Sequence, residues 1–125
     1  MSSLETPLHR VRGLGASHSG TGHFWRQRVT ALALVPLGLW FAFSVLGLVG
    51  ANEVVALQYL AHPWNAILMA AFVLTLLYHM SLGLQVVVDD YVHGTASKIF
   101  LLLLIRFVAL ATASTSLFAL IRISS

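Results

Sequence analysis

His79 stands inside an apolar run, Ala66 to Val88, whose interior carries no charged side chain. The run ends ten residues later in Asp89-Asp90-Tyr91. At about 1.5 Å per helical residue, His79 lies roughly 15 Å below that acidic exit, near the middle of a bilayer. Imidazole is costly at that depth unless it faces protein, water or a metal, which makes it a functional candidate. Two chemistries suit it. A neutral ring can hydrogen-bond a neighbouring helix. Alternatively, it can ligate a metal, and haem iron commonly takes an axial histidine. Gly83 is one turn further on, on nearly the same face, and would let a flat macrocycle lie against the helix. Val86 shares that face and could wall such a pocket. No other histidine lies in an apolar span, so a bis-histidine haem needs its second ligand from another chain.

Three more groups surround this one. Arg28 and His23 precede the first apolar stretch. Arginine there can be a topology anchor that snorkels to headgroups, or it can hold a haem propionate through paired donors. Asp89, Asp90 and Tyr91 end a helix, where acids oppose the negative end of the macrodipole. Successive helical residues point about 100° apart, so the two acids need different partners. A tyrosine hydroxyl at the interface can donate to a carbonyl oxygen, although an aromatic-belt tyrosine beside solvated acids is the plainer alternative. Arg106 falls within the third apolar stretch, and a pairing with Asp89 is expected. Snorkelling or a lipid phosphate would also satisfy it.

The elements that position these groups follow from composition. Of 125 residues, 58% are hydrophobic and 9% charged, far below the roughly 25% charged of a soluble domain. Three spans are predicted, at about 29–49, 65–88 and 98–121, after an N-terminal arm over 1–28. Pro36 falls in the first two turns of the first span and should bend it unless neighbours satisfy the freed carbonyl. Residues 50–64 form a loop in which Val54 to Leu60 could make a brief interfacial helix. Residues 89–97 form a second loop. The expected fold is an all-α membrane protein of three transmembrane helices.

Arg10, Arg12, Arg26 and Arg28 all precede the first span. This basic excess reads as a topology signal, not a nucleic-acid footprint, and places the N-terminus in the cytoplasm. The loop after the second span then returns to the same side. There is no cysteine, which excludes disulfides, thiolate metal sites and thiol nucleophiles. No secretory signal is seen, because the arm lacks an apolar h-region. The Met1 start favours a bacterial inner membrane over an imported and processed chain.

Two motifs together resemble the hydrophobic membrane anchor family of succinate dehydrogenase, the smaller of two anchors in bacterial respiratory complex II. One is Gly22-His23-Phe24-Trp25-Arg26-Gln27-Arg28-Val29-Thr30-Ala31 at the head of the first span. The other is Tyr78-His79 with Gly83, then Asp90-Tyr91-Val92. The resemblance implies that His79 is an axial ligand of haem b. The opposite ligand would come from a second, cytochrome b556-type anchor packed around the same haem. It implies that Arg28, with His23, lies near the propionates. Tyr91 would donate to a ubiquinone carbonyl, with Asp90 as its acidic neighbour. An iron–sulfur subunit and a flavoprotein subunit would carry the soluble chemistry of succinate oxidation. Two alternatives stay open: an anchor of a quinol:fumarate reductase, and a cofactor-free membrane accessory protein.

Overall fold

A computed structural model of the chain describes Pro7 and residues 18–125. Residues 1–6 and 8–17, most of the expected arm, lie outside the described residues. Four helices follow in order: α1 (His18–Gly47), α2 (Glu53–Ala61), α3 (Pro63–Tyr91) and α4 (Thr95–Ser124). No strand occurs among the described residues. Three of the helices are long and apolar enough to cross a membrane, so the chain is a multi-pass membrane protein. α3 has 29 residues, about 43 Å, which exceeds a hydrocarbon core of roughly 30 Å. Its ends therefore reach the interfaces.

α3 is the central helix, packed against α1 on one side and α4 on the other. Phe41 of α1 stacks on Phe72 of α3 at 4.7 Å between ring centroids. Among the described residues the buried apolar ones are Leu82, Val88 and Leu120, with Ser44 as the buried polar one. Three helices in a row leave most side chains facing outward, where lipid or other subunits must cover them.

The first helix begins at His18 and not near Val29. The segment expected to be extended is wound by its own side chains. Arg26 Nε donates to the Gly22 carbonyl at 3.2 Å, and Thr30 Oγ1 donates to the Arg26 carbonyl at 2.7 Å. The Arg28 guanidinium lies over the Phe24 ring, 5.1 Å from its centroid. α1 also runs unbroken through Pro36.

The turns are tighter than the sequence suggests. Gly50, at φ 81°, takes the left-handed turn conformation that a side chain would resist. The Asn52 side chain caps α2 by accepting from the Val55 N–H at 3.0 Å. Only His62 separates α2 from α3. It precedes Pro63, which forces an extended ψ of 130° and so the change of direction. Tyr59 OH meets Ser44 Oγ at 2.6 Å, and the Asn65 amide donates to the Tyr59 carbonyl at 2.9 Å. These bonds pin α2 to the helices on either side. The second loop shrinks from the expected 89–97 to Val92, His93 and Gly94. Asp89 and Asp90 stay helical, and Lys98 reaches back to Asp89 across the turn at 3.7 Å.

Candidate functional site

His79 and Thr30 meet in the middle of the α1–α3 contact. Thr30 is twelve residues in from His18 and His79 twelve back from Tyr91, about 18 Å along each helix. The two antiparallel helices thus bring them level, and Thr30 Oγ1 lies 2.9 Å from His79 Nδ1. A hydroxyl has one proton. Thr30 sits 2.7 Å from the Arg26 carbonyl and 3.0 Å from that of Gln27. Oxygens that close need a proton between them, so the hydroxyl donates to the backbone and accepts from the ring. His79 is therefore protonated on Nδ1 and keeps a lone pair on Nε2. No hydrogen bond among the described residues engages Nε2. An imidazole with one nitrogen fixed by a neighbour and the other open is the form that ligates a metal.

Along α3 the His79 face continues through Gly83 and Val86 to Asp90, since these residues recur at helical spacing. A Cβ placed on Gly83 would meet nothing within 4 Å. Glycine inside a helix costs about 1 kcal/mol relative to alanine, and nothing in this chain requires it at 83. The face is open and flat there, and half-exposed Val86 borders it. Asp90 has no ion-pair partner among the described residues. Tyr91, the last residue of α3, is 78% exposed. Its hydroxyl is free at the rim.

The sequence paired Arg28 with His23, and the structure separates them. Arg28 is turned onto Phe24 and is exposed. His23 instead shares a cavity of about 350 Å³ with Arg26, Leu82, Gln85, Val86, Asp89 and Arg106. Its Nε2 is shielded from solvent and has no hydrogen-bond partner among the described residues. An atom left so would cost about 1–3 kcal/mol, which makes it a candidate donor or acceptor for a group in this cavity.

The expected Asp89–Arg106 pair does not form. Lys98, one turn into α4, reaches Asp89 first, while Arg106 lies two turns deeper. Lys98 also answers the macrodipole problem, because its ammonium sits beside the acid at the negative end of α3. Trp25 and Trp64 are exposed near opposite ends of the bundle, as aromatic-belt residues would be.

Thr30 and Arg26 escaped notice as individual site residues. Both lie in the quoted head motif, but Thr30 becomes significant only when α1 packs level with His79. The i, i+4 relation of Arg26 to Thr30 was the one available signal that they share a face. Among the described residues no three His, Asp or Glu side chains gather to enclose a metal ion. A haem asks less of the chain: one axial nitrogen, an open wall and polar groups for its carboxylates. His79 Nε2, Gly83 and the orphaned His23 Nε2 fit that demand.

Comparison with known proteins adds an independent line. Residues 2–113 match the model of the succinate dehydrogenase/fumarate reductase transmembrane subunit family. The succinate dehydrogenase hydrophobic membrane anchor subunit of Paracoccus denitrificans is 32% identical, over 94% of this chain and 90% of the relative. The protein of the same name from Rickettsia bellii is 30% identical, over 82% of each. The succinate dehydrogenase membrane anchor subunit of Reclinomonas americana is 31% identical, over 85% of this chain and 88% of the relative. No solved structure matches the chain.

Proposed function

The chain belongs to the succinate dehydrogenase/fumarate reductase transmembrane subunit family, and we propose that it anchors a succinate:ubiquinone oxidoreductase, contributing one axial ligand of a haem b and part of a ubiquinone pocket. The relatives' names support the succinate dehydrogenase anchor over a fumarate reductase anchor. The observation that carries the haem reading is the Thr30–His79 bond, which leaves Nε2 as the unprotonated, unbonded nitrogen.

In this reading His79 presents Nε2 from the centre of the bilayer, and Thr30 fixes the ring's tautomer and rotation. Gly83 keeps the helix wall flat beside it. His23 Nε2 offers a donor toward the propionates, and Arg28, exposed and held only by Phe24, is long enough to swing to the same carboxylates. When bound, the haem supplies a one-electron redox centre beside the route to the quinone. At the interface Tyr91 donates its hydroxyl proton in a hydrogen bond to a quinone carbonyl. Asp90, unpaired and adjacent, accepts hydrogen bonds from the water that delivers protons for quinol formation. A second, cytochrome b556-type anchor would complete the haem's binding site. Iron–sulfur and flavoprotein subunits complete the enzyme. In this reading the membrane is a bacterial inner membrane, and the four arginines on the arm side support a cytoplasmic N-terminal end.

The test is the reduced-minus-oxidised absorption spectrum of the purified complex. A b-type haem band is expected in the native complex, with its loss or a clear shift in His79→Leu. A native complex of all subunits without that band would leave a cofactor-free anchor. A His79→Leu complex with an unaltered band would move the ligand elsewhere.

A further inference from the structure

Two arginines from different helices border one cavity, and neither forms an ion pair among the described residues. Arg26 of α1 and Arg106 of α4 both border the cavity of about 350 Å³ that also holds His23, Gln85 and Asp89. The carboxylate of Asp89 is engaged by Lys98. Among the described residues neither guanidinium lies within ion-pair distance of a carboxylate. Arg26 spends only its Nε, on the Gly22 carbonyl, and Arg106 makes no hydrogen bond there. Arg106 is eleven residues into α4, about 16 Å from its start, and Arg26 eight residues into α1, about 12 Å. Both are exposed on the chain's surface, and at that helical depth in a membrane like charges need an anion between them.

The shape below the charges says which kind of anion. A second cavity, of about 310 Å³, shares Arg26, Leu82, Gln85 and Arg106 with the first. It continues toward the bilayer centre between Tyr78 and Ser81 of α3 and Leu102, Ile105, Ala109 and Leu110 of α4. At the same level, across Ser81, Ile105 and Ala109, a separate apolar groove of about 250 Å³ is lined by Leu77, Leu84, Leu104 and Val108. His79 and Gly83 border none of these three spaces. The iron-facing part of α3 is therefore outside the groove, while His23 and Val86 border its polar head.

We propose that this groove is a binding site for one anionic phospholipid. The phosphate sits between the Arg26 and Arg106 guanidiniums with the Gln85 amide as a further donor, and an acyl chain lies along the α3–α4 seam. Arginine matches phosphate oxygens through paired donors, and the apolar slot favours a lipid over a free anion. The site goes beyond the electron-transfer reading and does not depend on it.

The test uses the whole purified complex, exchanged into phosphatidylcholine vesicles with or without phosphatidylglycerol. Lipid retained per complex is counted by native mass spectrometry. The native complex should retain phosphatidylglycerol in preference to phosphatidylcholine at equal abundance, and excess inorganic phosphate should not release it. Arg26→Gln and Arg106→Gln should each weaken retention about tenfold, since a hydrogen bond to a charged group is worth about 1.5–3 kcal/mol. The lysine pair, Arg26→Lys with Arg106→Lys, should keep most of it, and Arg122→Gln at the far end should change nothing. Equal retention of the two lipids by the native complex would overturn the proposal, and that readout stands even if the glutamine variants fail to assemble. Release by inorganic phosphate would reduce the site to a simple anion site and also overturn it. Cross-linking of either arginine's position to an acidic side chain of another subunit would overturn it too. Loss of haem in step with loss of lipid would assign the guanidiniums to propionates instead.

Discussion

A single hydroxyl decides what His79 can do. The sequence marks the histidine by depth alone, and depth leaves its two chemistries equal. Thr30 supplies the first, the bond to a neighbouring helix, by accepting from Nδ1–H, and this leaves Nε2 for the second. Replacing Thr30 with valine keeps the shape and removes the acceptor. Loss of such a supporting partner costs about 10–100-fold in metal affinity, so Thr30→Val complexes should hold less haem or show a shifted reduction potential. Thr30→Ser should restore both, which a purely packing role for the methyl group would not allow. Tyr91 is argued at the same scale. It is exposed and has no partner among the described residues, as a residue completed by a ligand or another subunit would be. Tyr91→Phe should lower quinone reduction several-fold while dye-linked succinate oxidation stays near normal, and equal loss of both would point to misassembly.

At the scale of elements, three long helices were legible from hydropathy, and so was the brief α2. Helix starts were harder to read. The head of α1 looked like an arm because glycine, serine and histidine dominate it, yet it is helical from His18, with side-chain bonds from Arg26 and Thr30 bracing it as far back as Gly22. The second turn looked long because two acids ended a helix without an obvious cation. Lys98 supplied one from the next helix, and that same bond displaced Arg106 as the partner of Asp89. The pair is partly exposed, so Lys98→Ala should cost no more than about 1 kcal/mol in thermal stability. Combining Arg106→Leu with Asp89→Asn should give no recovery over Arg106→Leu alone. A clear recovery in that double variant would restore the Asp89–Arg106 pairing. At the other end Ser44 links α1 to Tyr59 of α2. Ser44→Ala should cost about 1–3 kcal/mol by leaving the tyrosine hydroxyl unpaired, and Tyr59→Phe in the same background should return most of it.

The whole molecule is unfinished on its own. Three buried apolar residues cannot make a core, and Phe43, Phe107, Phe118 and many leucines face outward. That pattern was legible in outline, since composition alone demanded lipid as solvent. The outer faces carry no sign of which patches meet lipid and which meet subunits, because both partners are apolar. Stripping the assembled enzyme with a chaotrope should release the soluble subunits and leave this chain in the membrane with its second anchor. The haem band should stay with that membrane fraction. The most direct measurement is an experimental density map of the assembled complex at the level of His79. Iron should be bonded to His79 Nε2, with the macrocycle against Gly83 and Nδ1 still on Thr30. A His79 whose Nε2 faces acyl chains, with any haem held by other residues, would contradict the central claim.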